Sequence, residues 1–414
     1  MAHTTLPARR WAALLALALV AGCGSDDDAP GDAGPGLDAS APPDSGATDA
    51  SAPPDDDAGA TSGYASLGLG YRHSCAITTD GTAQCWGSNA IGQAGLPETG
   101  STVSTPADVQ ELGAVVAIAG GEDHSCAVLE DGSVACWGEN SDGQLGRGTT
   151  SVGSSVPATI ASLTGVTAIA LGASHSCALA AGAVHCWGAN EFGQLGDGTT
   201  TERAAPGAVP GISGAIAIGA GDYHSCAVLA GGAVRCWGLN TDGQLGDGTT
   251  TNRPEPVEAT DVTGVVELDG GQGFTCARTA TSVTCWGAGD AGQLGDGSSG
   301  DRPTAAPVPG ITGALGIAAG SRHACARLAD GTARCWGYGA RGQLGDGSDL
   351  SGLPVIRRTP VSVMELDDVS VIAAGGSHTC ALAGGRAYCW GDDAAGQLGD
   401  EASGAQATPV QVEP

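Results

Sequence analysis

Short β-type runs alternate along the chain with glycine- and aspartate-rich turns, in one pattern that returns about every fifty residues. Its second occurrence reads Val115-Val116-Ala117-Ile118-Ala119-Gly120-Gly121, Glu122-Asp123, His124-Ser125-Cys126-Ala127-Val128-Leu129, Glu130-Asp131-Gly132 and Ser133-Val134-Ala135-Cys136-Trp137-Gly138. Three apolar runs joined by two tight turns predict three strands. Gly143-Gln144-Leu145-Gly146 and a polar loop follow, then Val156-Pro157-Ala158-Thr159-Ile160, whose proline suits the edge of a sheet. Each unit is expected to hold four strands, a to d. The small and β-branched residues of strand a fit a crowded central axis, and strand d fits the outer edge.

A Cys-Trp-Gly tripeptide marks strand c in every unit. Its tryptophans are Trp86, Trp137, Trp187, Trp237, Trp286, Trp336 and Trp390, spaced by 51, 50, 50, 49, 50 and 54 residues. The one longer interval falls where residues 350–358 extend a loop. Seven units in phase predict an all-β, seven-bladed β-propeller over residues 64–414, a closed ring of four-stranded antiparallel blades without a long exposed edge. The first strand a begins near Tyr64 and the last strand d spans residues 409–412. Whether that last strand completes its own blade or clasps the first one is left open.

Fourteen cysteines form seven pairs: Cys75 with Cys85, Cys126 with Cys136, Cys177 with Cys186, Cys226 with Cys236, Cys276 with Cys285, Cys325 with Cys335, and Cys380 with Cys389. Each pair lies nine or ten residues apart, symmetric about the b–c turn, so its members face one another across the hairpin. Directly opposed strand residues lie within disulfide range. Zinc is the rival use of such cysteines, but no Cys-x-x-Cys occurs and the amino terminus reads as an export signal, so one disulfide per blade is expected. In the chain-entropy picture each contributes about 2 to 3 kcal/mol.

That signal comprises residues 1–22: Arg9 and Arg10, an apolar run over residues 11–20 too short for a permanent span, and then Val20-Ala21-Gly22-Cys23. The last four residues resemble the lipobox of bacterial lipoproteins. The resemblance implies cleavage before Cys23 and lipidation of that cysteine, which accounts for the single unpaired thiol. Residues 24–63 hold ten aspartates, no basic residue and otherwise mostly Ala, Pro, Gly and Ser. Lipidated Cys23 and this stretch, residues 23–63, are expected to form a disordered, self-repelling tether with a reach of about 35 Å. The expected location is a bacterial cell envelope, with the chain lipid-anchored to a membrane on the extracytoplasmic side.

Charge narrows the partners. The chain has no lysine and a formal net charge of -29. An acidic surface repels phosphate backbones, so no nucleic acid is expected as a partner. Membrane contact is expected through the lipid alone, and the propeller is expected to be a monomer.

Gly-Gln-Leu-Gly recurs after Trp-Gly at Gly143, Gly193, Gly243, Gly292, Gly342 and Gly396, with Gly92-Gln93-Ala94-Gly95 as a variant. Together with the repeated Ala-Gly-x-x-His-Ser-Cys-Ala-Leu pattern, this resembles the regulator of chromosome condensation repeat over residues 64–414. The resemblance implies a seven-bladed propeller, in agreement with the strand count. Members of that family include a nuclear nucleotide-exchange factor for a small GTPase and a secreted bacterial inhibitor of β-lactamases. Export, a propeller and no obvious enzyme motif bring this chain nearer to the inhibitor by analogy, and no exchange-factor residues are carried over.

Several recurrent groups have two readings. His73, His124, His175, His224, His323 and His378 stand two residues before the first cysteine of their pairs, where a ring of imidazoles could hold a metal. Phe274 takes that place in the fifth unit, which favours packing and hydrogen bonding. The tryptophans face the neighbouring blade, where packing is the ordinary use and ligand stacking the rarer one. Stretches such as Gly246-Asp247-Gly248-Thr249 resemble calcium loops but lack the bidentate acid, so an Asx-stabilised turn is expected. No metal or cofactor is expected. No Gly-x-Ser-x-Gly elbow, phosphate loop or zinc-protease helix occurs, and no enzyme is expected.

What does not repeat lies in the a–b turns and c–d loops, which antiparallel strand order places on one rim. Tyr71, Arg72, Glu122, Asp123, Asp222, Tyr223 and Arg322 belong to the turns; Phe192, Tyr338 and Arg341 belong to the loops; Phe274 lies beside them. Aromatic residues and arginine dominate tight protein interfaces. Turns also vary simply because nothing constrains them. The expected function is a non-catalytic protein-binding or inhibitory module with an unknown protein at this rim. Nucleotide exchange by family analogy, and an extracytoplasmic enzyme or carbohydrate-binding propeller, are the alternatives.

Overall fold

A computed structural model describes residues 63–413. The signal peptide, Cys23 and nearly all of the tether lie outside the described residues. Seven four-stranded antiparallel sheets follow one another, each made of four consecutive strands. In the second blade these are strand a (Val115–Gly120), b (His124–Leu129), c (Val134–Glu139) and d (Gly153–Thr159). The last strand, Gln406–Gln411, pairs with Arg386–Gly391 of its own blade, so no strand crosses the closure. The ring closes by side-chain packing and by hydrogen bonds between blades 7 and 1.

Each b–c hairpin carries the disulfide expected of it. Cys75 is bonded to Cys85, Cys126 to Cys136, Cys177 to Cys186 and Cys226 to Cys236. Cys276 is bonded to Cys285, Cys325 to Cys335 and Cys380 to Cys389. The members of every pair are register partners, with Cα atoms 4.0–4.1 Å apart. In the first hairpin Thr78 N donates to Thr82 O and Ser88 N to Arg72 O. Counting inward from both ends puts Cys75 and Cys85 at a non-hydrogen-bonded position, where opposed side chains come closest. Strand alternation then sends the cystine to one face of the blade and the tryptophan to the other.

That alternation builds the core. Trp137 packs against Cys75 and Cys85 of the preceding blade, and Trp86 packs against Cys380 and Cys389 across the closure. All seven tryptophans are completely buried between blades. Each indole Nε1–H donates at 2.8–3.0 Å to the backbone carbonyl of the Gln in the preceding blade's Gly-Gln-Leu-Gly segment, or Gly-Gln-Ala-Gly in the first. The glycine that ends that segment is required by this approach: Gly146 has φ +72°, and a Cβ there would lie 2.8 Å from Trp187 Nε1.

A second contact spans the seams. Ser125 Oγ donates to Gln93 O at 2.9 Å and also lies 2.8 Å from His73 Nε2. A hydroxyl has one proton, so with that proton on the carbonyl, His73 donates its Nε2–H to Ser125. The same contact joins His124 to Ser176, His175 to Ser225, His224 to Thr275, His323 to Thr379 and His378 to Ser74. Phe274 fills the remaining place, and the residue facing it is Ala324. The imidazoles are therefore packing and hydrogen-bonding groups between blades. Burial holds His73 and His175 down to about 4 and the other four to about 3.

Candidate functional site

The a–b turns ring one mouth of the central channel. There, seven backbone N–H···O bonds of 3.0–3.4 Å run from blade to blade, from Tyr71 N to Gly121 O through to Gly376 N to Gly70 O. The wall behind them is glycine because the histidine ring lies over it: a Cβ on Gly121 would sit 2.3 Å from His124 Cε1. With no side chains on that wall, the mouth opens into a cavity of about 340 Å³ lined by strand a of all seven blades.

The structure gathers the candidate residues on this face in small groups. Tyr71, Glu122, Asp222 and Tyr223 line the cavity mouth. Tyr71 is 40% exposed. Phe192, from the c–d loop of blade 3, meets Tyr223 of blade 4 edge to face with ring centroids 5.4 Å apart. Arg322 lies over the ring of Tyr338 at 5.5 Å and pairs with Asp290 from the preceding blade. Burial would raise Asp290, but hydrogen bonds from Arg322 and Gln293 hold it below the usual carboxylate range. Arg341 Nε stands 3.9 Å from Asp392 Oδ1 of blade 7. Arg72 and Asp123 lie further out, with Asp123 accepting Gln93 Nε2–H at 2.6 Å. Phe274 does not belong to the rim: it is completely buried against blade 6, because its position points into the seam.

Carboxylates set the potential of the mouth. Burial raises Glu122, helped by Asp123 and Glu139. Asp222 is pushed up to about 6 by burial and by Glu122, and Tyr223 is raised by burial and then by Asp222, Glu122 and Glu191. Below the mouth, on strand a of blade 5 (Val265–Gly270), Asp269 is pushed up to about 7 by burial, against hydrogen bonds from Ala319 N–H at 2.9 Å and Gly270 N–H. Glu267, on the same strand, pairs with Arg278 at 2.7 Å. A reading of strand a as small and β-branched throughout misses Asp269 and Glu267. Val265-Val266-Glu267-Leu268-Asp269 is the one strand a that carries charge, and that departure is the signal that could have found them.

The Asp-Gly-Thr loops close on themselves. Asp247 Oδ1 accepts the N–H of Thr249 at 2.9 Å, and Asn240 Nδ2 donates to the carbonyls of Thr249 and Thr251. Among the described residues no three His, Cys, Asp or Glu side chains stand close enough to hold a metal ion.

A model of the regulator of chromosome condensation (RCC1) repeat matches the chain six times, over residues 80–128, 131–179, 181–228, 231–278, 282–327 and 330–382. The chain belongs to the RCC1 repeat family. Each matched RCC1 repeat begins near strand c of one blade and ends in or just after strand b of the next, so the family's unit of sequence is the seam between blades. Of curated relatives, the probable human E3 ubiquitin-protein ligase HERC6 is 33% identical over 117 residues, 27% of this chain and 11% of its own length. Protein pim1 of Schizosaccharomyces pombe is 39% identical over 93 residues, 21% of this chain and 17% of its own. The matches thus span less than a fifth of these relatives. Among solved structures, Prp20p of Saccharomyces cerevisiae aligns at 24% identity with a TM-score of 0.71, over 85% of this chain and 88% of that one. Human WBSCR16 aligns at 22% identity and 0.73, over 80% and 95%. At these identities the alignments speak for the propeller alone.

Proposed function

We propose that the chain is an exported bacterial lipoprotein, anchored in the cell envelope through Cys23, whose monomeric RCC1-type propeller binds a partner protein at the a–b rim without catalysis or cofactor. The observation that carries this reading is a division of labour. The repeated imidazole Nε2, hydroxyl, indole and Gln carbonyl groups are used in contacts between blades, while a set of unrepeated aromatic and charged side chains gathers at one rim. Tyr64 N donates to Gly385 O in a b–c turn, so the chain enters the propeller on the face opposite that rim.

Crosslinking the tethered chain in its native envelope and identifying the captured protein tests the reading. Replacing Tyr71, Arg322 and Tyr338 together by Ala is expected to weaken capture at least ten-fold, since such residues supply most interface energy. Capture unchanged by the triple replacement overturns the rim as the binding surface. Cys23→Ser is expected to move the protein from the membrane to the soluble fraction. Accelerated nucleotide release from a captured GTPase would replace the non-catalytic reading with exchange activity.

A further inference from the structure

The cavity under the a–b rim has a composition that the framework does not explain. Three carboxylates, Glu122, Asp222 and Asp269, line it together with Tyr71 and Tyr223, and no lining residue is basic. Asp222 is partly buried, its carboxylate takes part in no hydrogen bond or ion pair among the described residues, and the charge of Glu122, of the same sign, raises it further. Asp269 stands where the other blades carry Gly68, Ala119, Ala170, Gly219, Ala318 and Ala373, in an otherwise small and apolar ring. An acid with no local partner in a low-dielectric wall is costly, and walls of that kind focus the field on whatever enters.

The arrangement does not suit a metal ion, since no three ligating side chains converge among the described residues. Carboxylates carried by blades 2, 4 and 5 that share one cavity with two tyrosines suit an extended, delocalised cation. A guanidinium offers five donors in a plane and stacks on aromatic rings, whereas an ammonium is a compact and strongly hydrated point charge. The mouth is open to the rim, so the cation can arrive on another chain.

We propose that the channel mouth receives an arginine side chain of the partner protein, its guanidinium held by Asp222 and Glu122 against Tyr71 or Tyr223, with Asp269 supplying negative charge from below. This rests on the protein-binding reading above and names the chemistry of its central contact. Among the described residues the titratable groups around these acids include Tyr223 and Glu191 at the mouth, Asp123 with Arg72 and Glu139 beside Glu122, Glu267 with Arg278 and Arg327 below Asp269, and the buried histidine rings, such as His124 and His224, that lie over the channel glycines Gly121 and Gly221. A bound guanidinium therefore lowers the raised carboxyls, and binding is coupled to proton release.

The full chain, titrated at low salt with the pentapeptide Gly-Gly-Arg-Gly-Gly capped at both ends, tests the proposal. Its citrulline and lysine counterparts and free spermidine serve as comparators. Binding of the arginine peptide is expected to be about ten-fold tighter at pH 8 than at pH 5 and at least ten-fold tighter than that of the citrulline peptide. Asp222→Asn is expected to weaken it ten-fold or more, while Glu111→Gln, on the opposite face, leaves it unchanged. Equal binding of arginine and citrulline peptides, indifference to Asp222→Asn, or a site that takes lysine or spermidine as tightly as arginine overturns it. Carboxyl-carbon NMR of Asp222 and Asp269 separates a lost site from a lost fold. If the Tyr71, Arg322 and Tyr338 replacement abolishes partner capture while Asp222→Asn leaves capture intact, the rim reading stands and the channel proposal falls.

Discussion

Six of the seven seams between blades are built alike, and the seam between blades 5 and 6 is not. At an ordinary seam such as that of blades 1 and 2, His73 meets Ser125 and the serine also bonds Gln93 O. At blades 5 and 6, Phe274 meets Ala324, and Gln293 O accepts only the indole of Trp336. Polarity has moved elsewhere in that seam. Glu267 and Asp269 accept backbone N–H groups of blade 6, and Arg278 reaches Ala314 O at 3.4 Å, where the second blade carries Ala117, Ala119 and Val128. The difference shows that the histidine slot is a two-residue unit, split between blades about fifty residues apart. An imidazole with no hydroxyl would be an unpaired buried group, and so would a hydroxyl facing a phenyl ring. The pair is present whole or replaced whole.

Acid is expected to test this contrast most strongly, because it acts on six seams at once. The six imidazoles have folded pKa values of about 3 to 4, below the unfolded value near 6.5, so the unfolded chain binds more protons between those limits. Their contribution is complete above about pH 6.5 and falls as pH drops toward 4, by about 1.4 kcal/mol per pH unit for each. Asp222 and Asp269, raised to about 6 and 7, work in the opposite direction over part of that range. Thermal unfolding of the oxidised protein from pH 7 to pH 4 should show a steep loss, and a flat profile would break the picture of six neutral, buried imidazoles.

Next in size is the feature the seams share. Trp137→Ala and Trp336→Ala each remove a fully buried indole and its bond to a Gln carbonyl. Each should cost about 3 to 5 kcal/mol in denaturant unfolding, equally at the two kinds of seam. A much smaller cost at Trp336 would mean that the fifth seam is held by its charges instead.

The smallest effect is also the sharpest. Phe274→His alone should cost about 1 to 3 kcal/mol, since Ala324 gives the new imidazole no partner. Adding Ala324→Ser should recover about 1 kcal/mol or more, measured as coupling in a double-mutant cycle. Additive costs would show that the two positions do not form one slot.

Much of this is legible in the chain. Strand count, disulfide pairing and the inward tryptophans follow from alternation about a fixed turn, which is local geometry. Cys177 and Cys186, or Cys325 and Cys335, find each other within one hairpin and need no other blade to do so. The rim follows from strand direction. Phe274 is misplaced beside the rim when adjacency to a turn in sequence is read as adjacency in space, whereas its side chain lies over Gly271 inside the seam. The partners of the histidines are not legible, because the hydroxyl that each one meets lies fifty residues away or, for His378 and Ser74, at the other end of the propeller.

By itself, then, the sequence determined the number of blades and the staple within each, since both depend on periodicity and on contacts within one hairpin. Only the tertiary structure decided that the last strand stays in its own blade, that each imidazole is tied to a neighbour's hydroxyl, and that Glu122, Asp222 and Asp269 share one channel. Those outcomes depend on how seven similar surfaces meet around an axis. Long-range contacts of that kind are fixed by the closure of the ring as a whole and are carried by no single stretch of chain.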